Sequence, residues 1–584
     1  MIPPGQDNKK AKNFVRPLRL TKAQQSLEDE KPLSDFQQDK AFLSSQDREL
    51  SPAELAWPPF YVIPPSGMDS VPIDQQPTLI LPVIAKAELA AQGAEKGGYV
   101  SLARNLIQSS GIYALASLAS PLVSLVLAPF LTRNLSHTDY GALAVLNTAI
   151  SLVAGITQLG LGSAFFRAYS YDYETERDKR AVLATVVQLL ACISALAVIV
   201  VLLSSSWLAG LLLNKDTVND AVVMAALVVL LQNLTVPGFA WLRAEKRPVF
   251  FTILSVMNLL VSLAATIIFV GVFHMGVVGA LLAIGGGYGT VVLRTIPLIL
   301  YRARVCFRPD IIKGLLGFGL PNAGSFISIW VLQLSDRYLL SYFGSLAQTA
   351  SYAVAYSLGG VLATVIISPF SLAWPTAMYA IAKKDDAAQT FRVVFRWFSL
   401  LLLFAVYGFS LAGIGILELF FPVSYHSAYP IIPIIAVSIM FYGLHLFLTV
   451  GIAIRRKTWL VVVLTLTAAI SNILLNIFLI PRYGAMGAAW STLLAYALLA
   501  LITLFVNQRI YPIPFDLTLF IVAVLVGMLL ALGCTFLTQT WSWFWSAVIH
   551  LCVLALYGGC LVLLGKFPDW KQKKKYRHAK EKIR

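Results

Sequence analysis

The side chains in this sequence with chemical potential are a few ionisable groups stranded beside or within long apolar runs: Arg104, Arg167, Arg294, Asp336, Arg337 and Glu418. A charge at the centre of a bilayer costs at least about 2.5–3.5 kcal/mol on insertion scales, so such groups face a cavity or a partner. Four of the six are guanidiniums, whose planar fork binds phosphate oxygens in pairs. Arg294 lies about two helical turns before Arg302, deep enough to strain snorkelling. Arg104 and Arg167 flank the ends of the first two runs. Asp336 and Arg337 are sequence neighbours and point about 100° apart on a helix, so each needs its main partner elsewhere. Glu418 sits near a helix end and is expected to be solvated.

The remaining reactive residue types exclude several kinds of chemistry. Cys192, Cys534, Cys552 and Cys560 fall inside apolar runs and Cys306 in a loop, which is no disulfide framework. None of the six histidines has a partner at helical spacing, so no metal site is expected. No cofactor is implied.

The elements that carry these groups are membrane helices. Mean hydropathy is +0.74 and 13% of residues are charged, where a soluble protein has about a quarter. Fourteen apolar stretches are each long enough to cross the hydrocarbon core, which takes roughly 20 residues: 106–131, 140–166, 181–203, 220–242, 249–272, 276–300, 312–335, 345–372, 391–417, 429–452, 459–480, 485–506, 516–537 and 543–565. The fold class is therefore an all-α polytopic membrane protein. Loops after even-numbered spans carry the basic residues, among them Arg177, Lys179, Arg180, Arg243, Lys246, Arg247, Arg302, Arg304, Arg308, Lys383, Lys384 and Arg455-Arg456-Lys457. Loops after odd-numbered spans hold only Arg133, Lys215, Arg337 and Arg482. Short basic loops stay cytoplasmic, which places both termini inside. The formal charge of +16 is thus membrane topology rather than a nucleic-acid footprint. Plasma membrane is the expected location.

A repeat divides the spans. Arg247 precedes an apolar helix and then Gly276-Val-Val-Gly279-Ala280, and Arg455 precedes another and then Gly484-Ala-Met-Gly487-Ala488, with 29 positions between basic residue and glycine in both. A weaker echo links Tyr140-Gly-Ala-Leu-Ala-Val145 to Tyr352-Ala-Val-Ala-Tyr356. Two six-helix lobes related by an axis along the membrane normal are expected, with a cavity between them. The chain then divides into a disordered cytoplasmic extension (1–103), a first lobe (104–305), a second lobe (306–510), two further spans (511–565) and a polybasic tail (566–584). The extension contains eleven basic and thirteen acidic residues before position 101 and no secretory signal. The tail is a candidate tether for anionic lipids. Pro121 and Pro129 in span 1, Pro321 opening span 7, and Pro369 with Trp374-Pro375 in span 8 mark helices expected to line the cavity, because irregular backbone is tolerated away from lipid. For Asp336 the expected role is an ion pair between lobes, with proton or sodium coupling as its alternative.

The segment 131–141 (LTRNLSHTDYG), then Gly160-Leu-Gly162 with Phe166-Arg167, Phe318-Gly-Leu-Pro321, Asp336-Arg-Tyr-Leu-Leu340, Tyr352-Ala-Val-Ala-Tyr356 and the Gly484 hairpin together resemble the oligosaccharide flippases. These form the polysaccharide-biosynthesis branch of the multidrug/oligosaccharidyl-lipid/polysaccharide transporter superfamily. The likeness covers about residues 104–510, and spans 13 and 14 are also usual in that family. It implies a transporter rather than an enzyme, one that carries a lipid-linked oligosaccharide on a polyprenyl pyrophosphate to the outer leaflet by alternating access. Arg104, Arg167, Arg294 and Arg337 are then the candidate substrate contacts, Asp336 the candidate ion-coupling group, and a glycosyltransferase or polymerase a candidate partner. The nearest rival is an ion-coupled multidrug exporter of the same superfamily, which would carry acids in its first lobe. The long N-terminal extension departs from the pattern.

Overall fold

Helix boundaries follow from local chemistry at the chain's polar turns. The computed structural model describes residues 127–213, 219–245, 247–303, 308–383, 386–538, 545 and 548–566, all within the unit Lys96–Arg584. Ser136 caps α1 (His137–Thr157), accepting from the Asp139 amide at 3.1 Å, and Thr175 caps α2 (Glu176–Leu203) through the Asp178 amide at 3.2 Å. Each cap satisfies an amide that has no partner within its own helix. A short helix, α3 (Ser205–Leu213), follows, then α4 (Asn219–Ala244), α5 (Pro248–Thr266) and α6 (Gly276–Arg302). The second half comprises α7 (Pro309–Phe343), α8 (Leu346–Leu362, capped by Ser345), α9 (Ser368–Ala382), α10 (Ala387–Phe420), α11 (Ile431–Leu448) and α12 (Trp459–Ile510). Two more helices, α13 (Leu517–Thr538) and α14 (Val548–Lys566), complete the described chain. Among the described residues, eleven helices are long and apolar enough to cross a membrane.

α12 is two limbs joined at Gly484, whose φ of +54° breaks the helix. Gly276 adopts φ +58° at the matching turn before α6. Glycine visits this left-handed region without the Cβ penalty that other residues carry. Three residues on, Gly279 and Gly487 lie where a Cβ would come within 3.2 Å of the Phe269 carbonyl oxygen and 2.3 Å of the Leu479 carbonyl oxygen, respectively. The equal spacing in sequence therefore corresponds to the same tight hairpin in both halves, and each Gly-x-x-Gly serves the same two purposes.

The helices sort into an inner and an outer set. The α11 span is 67% buried, whereas the spans of α5, α13 and α14 are each 17% buried and turn most of their apolar surface outward. In lipid that outward surface carries no hydrophobic penalty, so packing and hydrogen bonds hold the bundle together. Asn233 on α4 illustrates this by donating to Thr157 Oγ1 at 2.7 Å and Ser194 Oγ at 2.8 Å while accepting from Gln158. In the second lobe an aromatic stack does similar work: Phe370 on Phe398 at 3.9 Å, Trp374 on Phe447 at 4.4 Å, and Phe395 on Phe515 at 4.6 Å between ring centres. Trp374, which precedes Pro375, belongs to this core.

Two expected boundaries shift. α7 begins at Pro309 and runs unbroken to Phe343, so Pro321 lies inside it rather than opening it, and Arg337 is a helix residue rather than a loop residue. The helix also crosses the expected lobe border: Ile311 and Leu315 pack with Phe165, Val182 and Trp241 of the first lobe, while Leu332 packs with Leu464 and Tyr496 of the second. Arg308, just before α7, bonds Asp178 at 2.5 Å and Asp310 at 2.6 Å, fastening this end to α2.

The last two helices are anchored by a charge cluster. Asp516 accepts from Arg396 Nε at 2.8 Å and from Arg392 Nε at 2.8 Å, and Arg396 also donates to the Gly565 carbonyl at 3.0 Å. Arg396 is 1% exposed, so it depends on these acceptors. Burial pushes the Asp516 carboxyl up, but the bonds from Arg392 and Arg396 outweigh it and hold the group below the usual carboxylate value. Its folded pKa is thus depressed, and the resulting stability is present above the unfolded value of about 3.9 and lost as pH falls through the folded one. Asp516→Asn is expected to cost about 3 kcal/mol at neutral pH because it removes the negative charge that Arg392 and Arg396 share. Thermal unfolding of the detergent-solubilised protein should show this deficit at pH 7 and a progressively smaller one as the pH falls below about 3.9.

Candidate functional site

A cavity of about 510 Å³ opens between the lobes, lined by residues 127–131, α1, α5, α6, α7 and α8. The expectation that spans 1, 7 and 8 contribute is met by Leu127, Ala128 and Leu131, by Leu334 and Arg337, and by Ala353 and Ser357. Its polar wall comes from small neutral groups, chiefly Asn147, Thr148, Ser151, Asn258 and Ser262, together with the ring of Tyr288. Arg337 is the charged residue among the described lining groups, and no acid stands beside it there.

The local sequence explains why an arginine can sit at this depth. The guanidinium carbon of Arg337 lies 4.3 Å from the ring centre of Tyr356, one turn along from Tyr352 on α8. Such a cation–π contact contributes about 0.5–2 kcal/mol, more when water is excluded. Its Nη1 donates to the Gln333 carbonyl at 3.3 Å and stands 3.8 Å from Asp336 Oδ1. That last distance is at the outer limit of an ion pair. The side chain stays 12% exposed, facing the cavity.

Asp336 points the other way. It is 1% exposed and accepts from the Arg337 amide at 2.8 Å, from the Tyr352 hydroxyl and from Thr492 Oγ1 at 3.3 Å. All three donors lie in the second half of the chain, so the expected ion pair between lobes is replaced by a carboxylate satisfied within one lobe. The helical offset between neighbours produces this division: Asp336 turns into the α7–α8–α12 contact and Arg337 into the cavity. A carboxylate is the one common side chain able to accept all three bonds at once.

The other expected contacts fall elsewhere. Arg294 is exposed on α6 beside Leu293, itself 76% exposed, and does not line the cavity. Arg167 sits near the basic end, 4.9 Å over the Phe318 ring and 3.5 Å from Asp172. Arg104 lies outside the described residues, as do Pro121 and the tail. Glu418 is exposed, as expected. Sequence reasoning missed Asn258, Ser262 and Tyr288. Asn258 and Ser262 recur with Thr266 at i, i+4, i+8 on α5, a weak polar stripe within a run otherwise read only as apolar, and Tyr288 faces them from α6.

The two lobes also meet at the end opposite the basic loops. Gly141 on α1 approaches α8 so closely that a Cβ would lie 1.8 Å from the Leu346 carbonyl oxygen. Ser341 donates to the Leu212 carbonyl of α3 at 2.9 Å.

Comparisons with known proteins agree with this architecture. Residues 106–378 match the polysaccharide biosynthesis protein family. The structure of the lipid II flippase MurJ in an inward closed conformation aligns with a TM-score of 0.63 at 16% identity, covering 78% of this chain and 99% of that one. An inward-facing multidrug resistance MATE family transporter of the MOP superfamily aligns with a TM-score of 0.54 at 15% identity, covering 68% and 97%. None of the curated proteins searched by sequence matches.

Removing the Asp336 carboxylate by Asp336→Leu leaves the Tyr352 hydroxyl without its acceptor and the Arg337 charge without its neighbouring anion, while Thr492 keeps its bond to the Ala488 carbonyl at 3.0 Å; the expected loss is about 3 kcal/mol. Thermal unfolding in detergent reports it, and unchanged stability would show that Tyr352 and Arg337 find partners elsewhere. The chain is a helical membrane protein with the fold seen in the MurJ and MATE transporter structures, and its residues 106–378 are similar to the polysaccharide biosynthesis protein family.

Proposed function

We propose that the protein flips a lipid-linked oligosaccharide, carried on a polyprenyl pyrophosphate, from the cytoplasmic to the outer leaflet of the plasma membrane for surface polysaccharide synthesis. The observation that carries this reading is the cavity wall: small neutral hydrogen-bonding groups around one guanidinium, with no acid among the described lining residues. Hydroxyl and amide groups suit sugar hydroxyls, and a guanidinium suits phosphate. Ligand pockets run from about 300 to 1,000 Å³, so the cavity has room for a sugar pyrophosphate head while the isoprenoid tail stays in lipid. The basic loops face the cytoplasm under the positive-inside rule, which makes the contacts at Gly141 and Ser341 the outer closure.

Alternating access follows from how the lobes touch. Separation at Gly141–Leu346 and Ser341–Leu212 opens the cavity outward, and release of α7 near Arg308–Asp178 opens it inward. Arg337 serves as the head-group contact, and Arg167 as a stop for anions at the inner mouth. Asp336 holds Tyr352, Thr492 and the α7 backbone in place beside that contact. Export of a cationic drug is the rival, supported by the MATE fold, but the acid such a cargo needs is not on the described wall.

Leaflet transfer of a fluorescent lipid-linked oligosaccharide in proteoliposomes tests the reading. A charge-assisted hydrogen bond contributes about 1.5–3 kcal/mol, so Arg337→Ala is expected to slow transfer roughly ten- to a hundredfold, whereas Arg294→Ala leaves it within about twofold. Absence of transfer by the parent protein, together with export of an organic cation, would establish the drug reading instead.

A further inference from the structure

At the outer end of the lobe contact, the ring of His137 on α1 stacks on Tyr425, which lies in the short 3-10 helix Val423–Ala428 between α10 and α11. The ring centres are 3.8 Å apart and the planes 24° from parallel. This contact joins the first lobe to the second, and Tyr425 is 1% exposed. Tyr140, which lines the cavity, meets the same Tyr425 edge-on at 6.0 Å. The stack therefore links the outer surface to the cavity wall.

Its polar atoms are left without partners. His137 Nε2, the Tyr425 hydroxyl and His426 Nε2 are all buried with no hydrogen bond. Buried polar atoms in native proteins are nearly always paired, so an unpaired cluster at a movable contact is a place where opening is rewarded by hydration. In the protonated imidazole both ring nitrogens carry a proton, so Nε2 is then an N–H donor that faces no acceptor. The added proton would also set a positive charge in the first turn of a 21-residue helix, the end where the helix dipole disfavours cations. The charged groups around the ring are few. Asp139 is already bound to the Ser136 hydroxyl at 2.7 Å, Arg133 reaches the Leu419 carbonyl at 3.4 Å, and Glu418 is exposed. The other titratable groups packed there are Tyr140, Tyr425 and His426.

We propose that the His137–Tyr425 stack is a proton-released clasp on the outer mouth of the cavity. Neutral His137 lies flat on Tyr425 and keeps the lobes together. Protonated His137 is better accommodated in water, so acid in the outer compartment shifts the lobes toward the outward-open arrangement. Histidine changes charge in the range where an energised membrane acidifies its outer face. The idea rests on the orientation assigned under the proposed function, but the clasp can be tested without any cargo.

Spin labels at Thr138→Cys and Val423→Cys, both exposed in the native protein, placed in the full-length chain with its native cysteines replaced and reconstituted in nanodiscs, report the gap by electron–electron resonance. The expected result is a short distance at pH 8 and a several-fold larger long-distance population at pH 5.5. His137→Phe keeps the stack but takes no proton, and should hold the short distance at both values. Tyr425→Ala removes the stack and should show the long distance even at pH 8, and His426→Gln should respond as the parent does. A pH response that survives His137→Phe, or disappears with His426→Gln, overturns the proposal, as does a parent that does not respond. Failure of lipid-linked sugar transfer in proteoliposomes would strike the cargo reading alone and leave these distances unaffected.

Discussion

Everything in the site depends on keeping one guanidinium charged at depth in an apolar bundle. Arg337 survives there because three features share the cost of its burial: the face of Tyr356 beneath it, the Gln333 carbonyl beside it, and Asp336 at 3.8 Å. None of these saturates its five donors, so the charge still presents N–H groups to the cavity. A tight ion pair with Asp336 would have cancelled the field. The loose contact follows from placing the acid one residue earlier on the same helix, where Tyr352 and Thr492 hold it facing away. The same geometry that stabilises the second lobe therefore leaves a positive wall for a ligand.

The lobes are joined by buried apolar packing at both ends, with different polar contacts added at each. Near the basic end the contact is continuous, with Ile311 and Leu315 of α7 buried in the first lobe and Arg308 bound to Asp178. At the opposite end Leu135, Tyr140 and Leu143 of the first lobe share one buried apolar core with Leu340, Leu346 and Ala350 of the second, and a glycine against a carbonyl, a serine against a carbonyl and an aromatic stack are added to it. α7 takes part at both ends, and its residues Gly317, Gly319 and Pro321 lie between its first-lobe half and its second-lobe half, where a helix bends most readily.

Much of the fold was legible in the sequence because the bilayer imposes simple rules on length, charge and hairpin geometry. The helices fall where the apolar runs fall, and the glycines of the repeated motif adopt the conformation that their spacing suggested. The site was less legible. Arg337 was legible as a candidate substrate contact but was placed at the end of its span, because a charged pair after an apolar run looks like a span end, and nothing local reveals that Tyr356, nineteen positions on, covers it. Arg294 read as a cavity residue because hydropathy gives depth but not direction. Its helix is apolar all round, and only the packed bundle shows that Leu293 and Arg294 face outward. The His137–Tyr425 stack joins residues far apart in the chain and has no sequence signal at all.

The most direct measurement is equilibrium binding of a polyprenyl pyrophosphate and of the matching uncharged polyprenol to the full-length protein in nanodiscs, with Arg337→Ala alongside. A guanidinium-centred cavity predicts that the pyrophosphate binds at least tenfold more tightly than the alcohol, and that Arg337→Ala removes this preference with little effect on the alcohol. Equal affinity for the two lipids, or a preference that persists without Arg337, would contradict it.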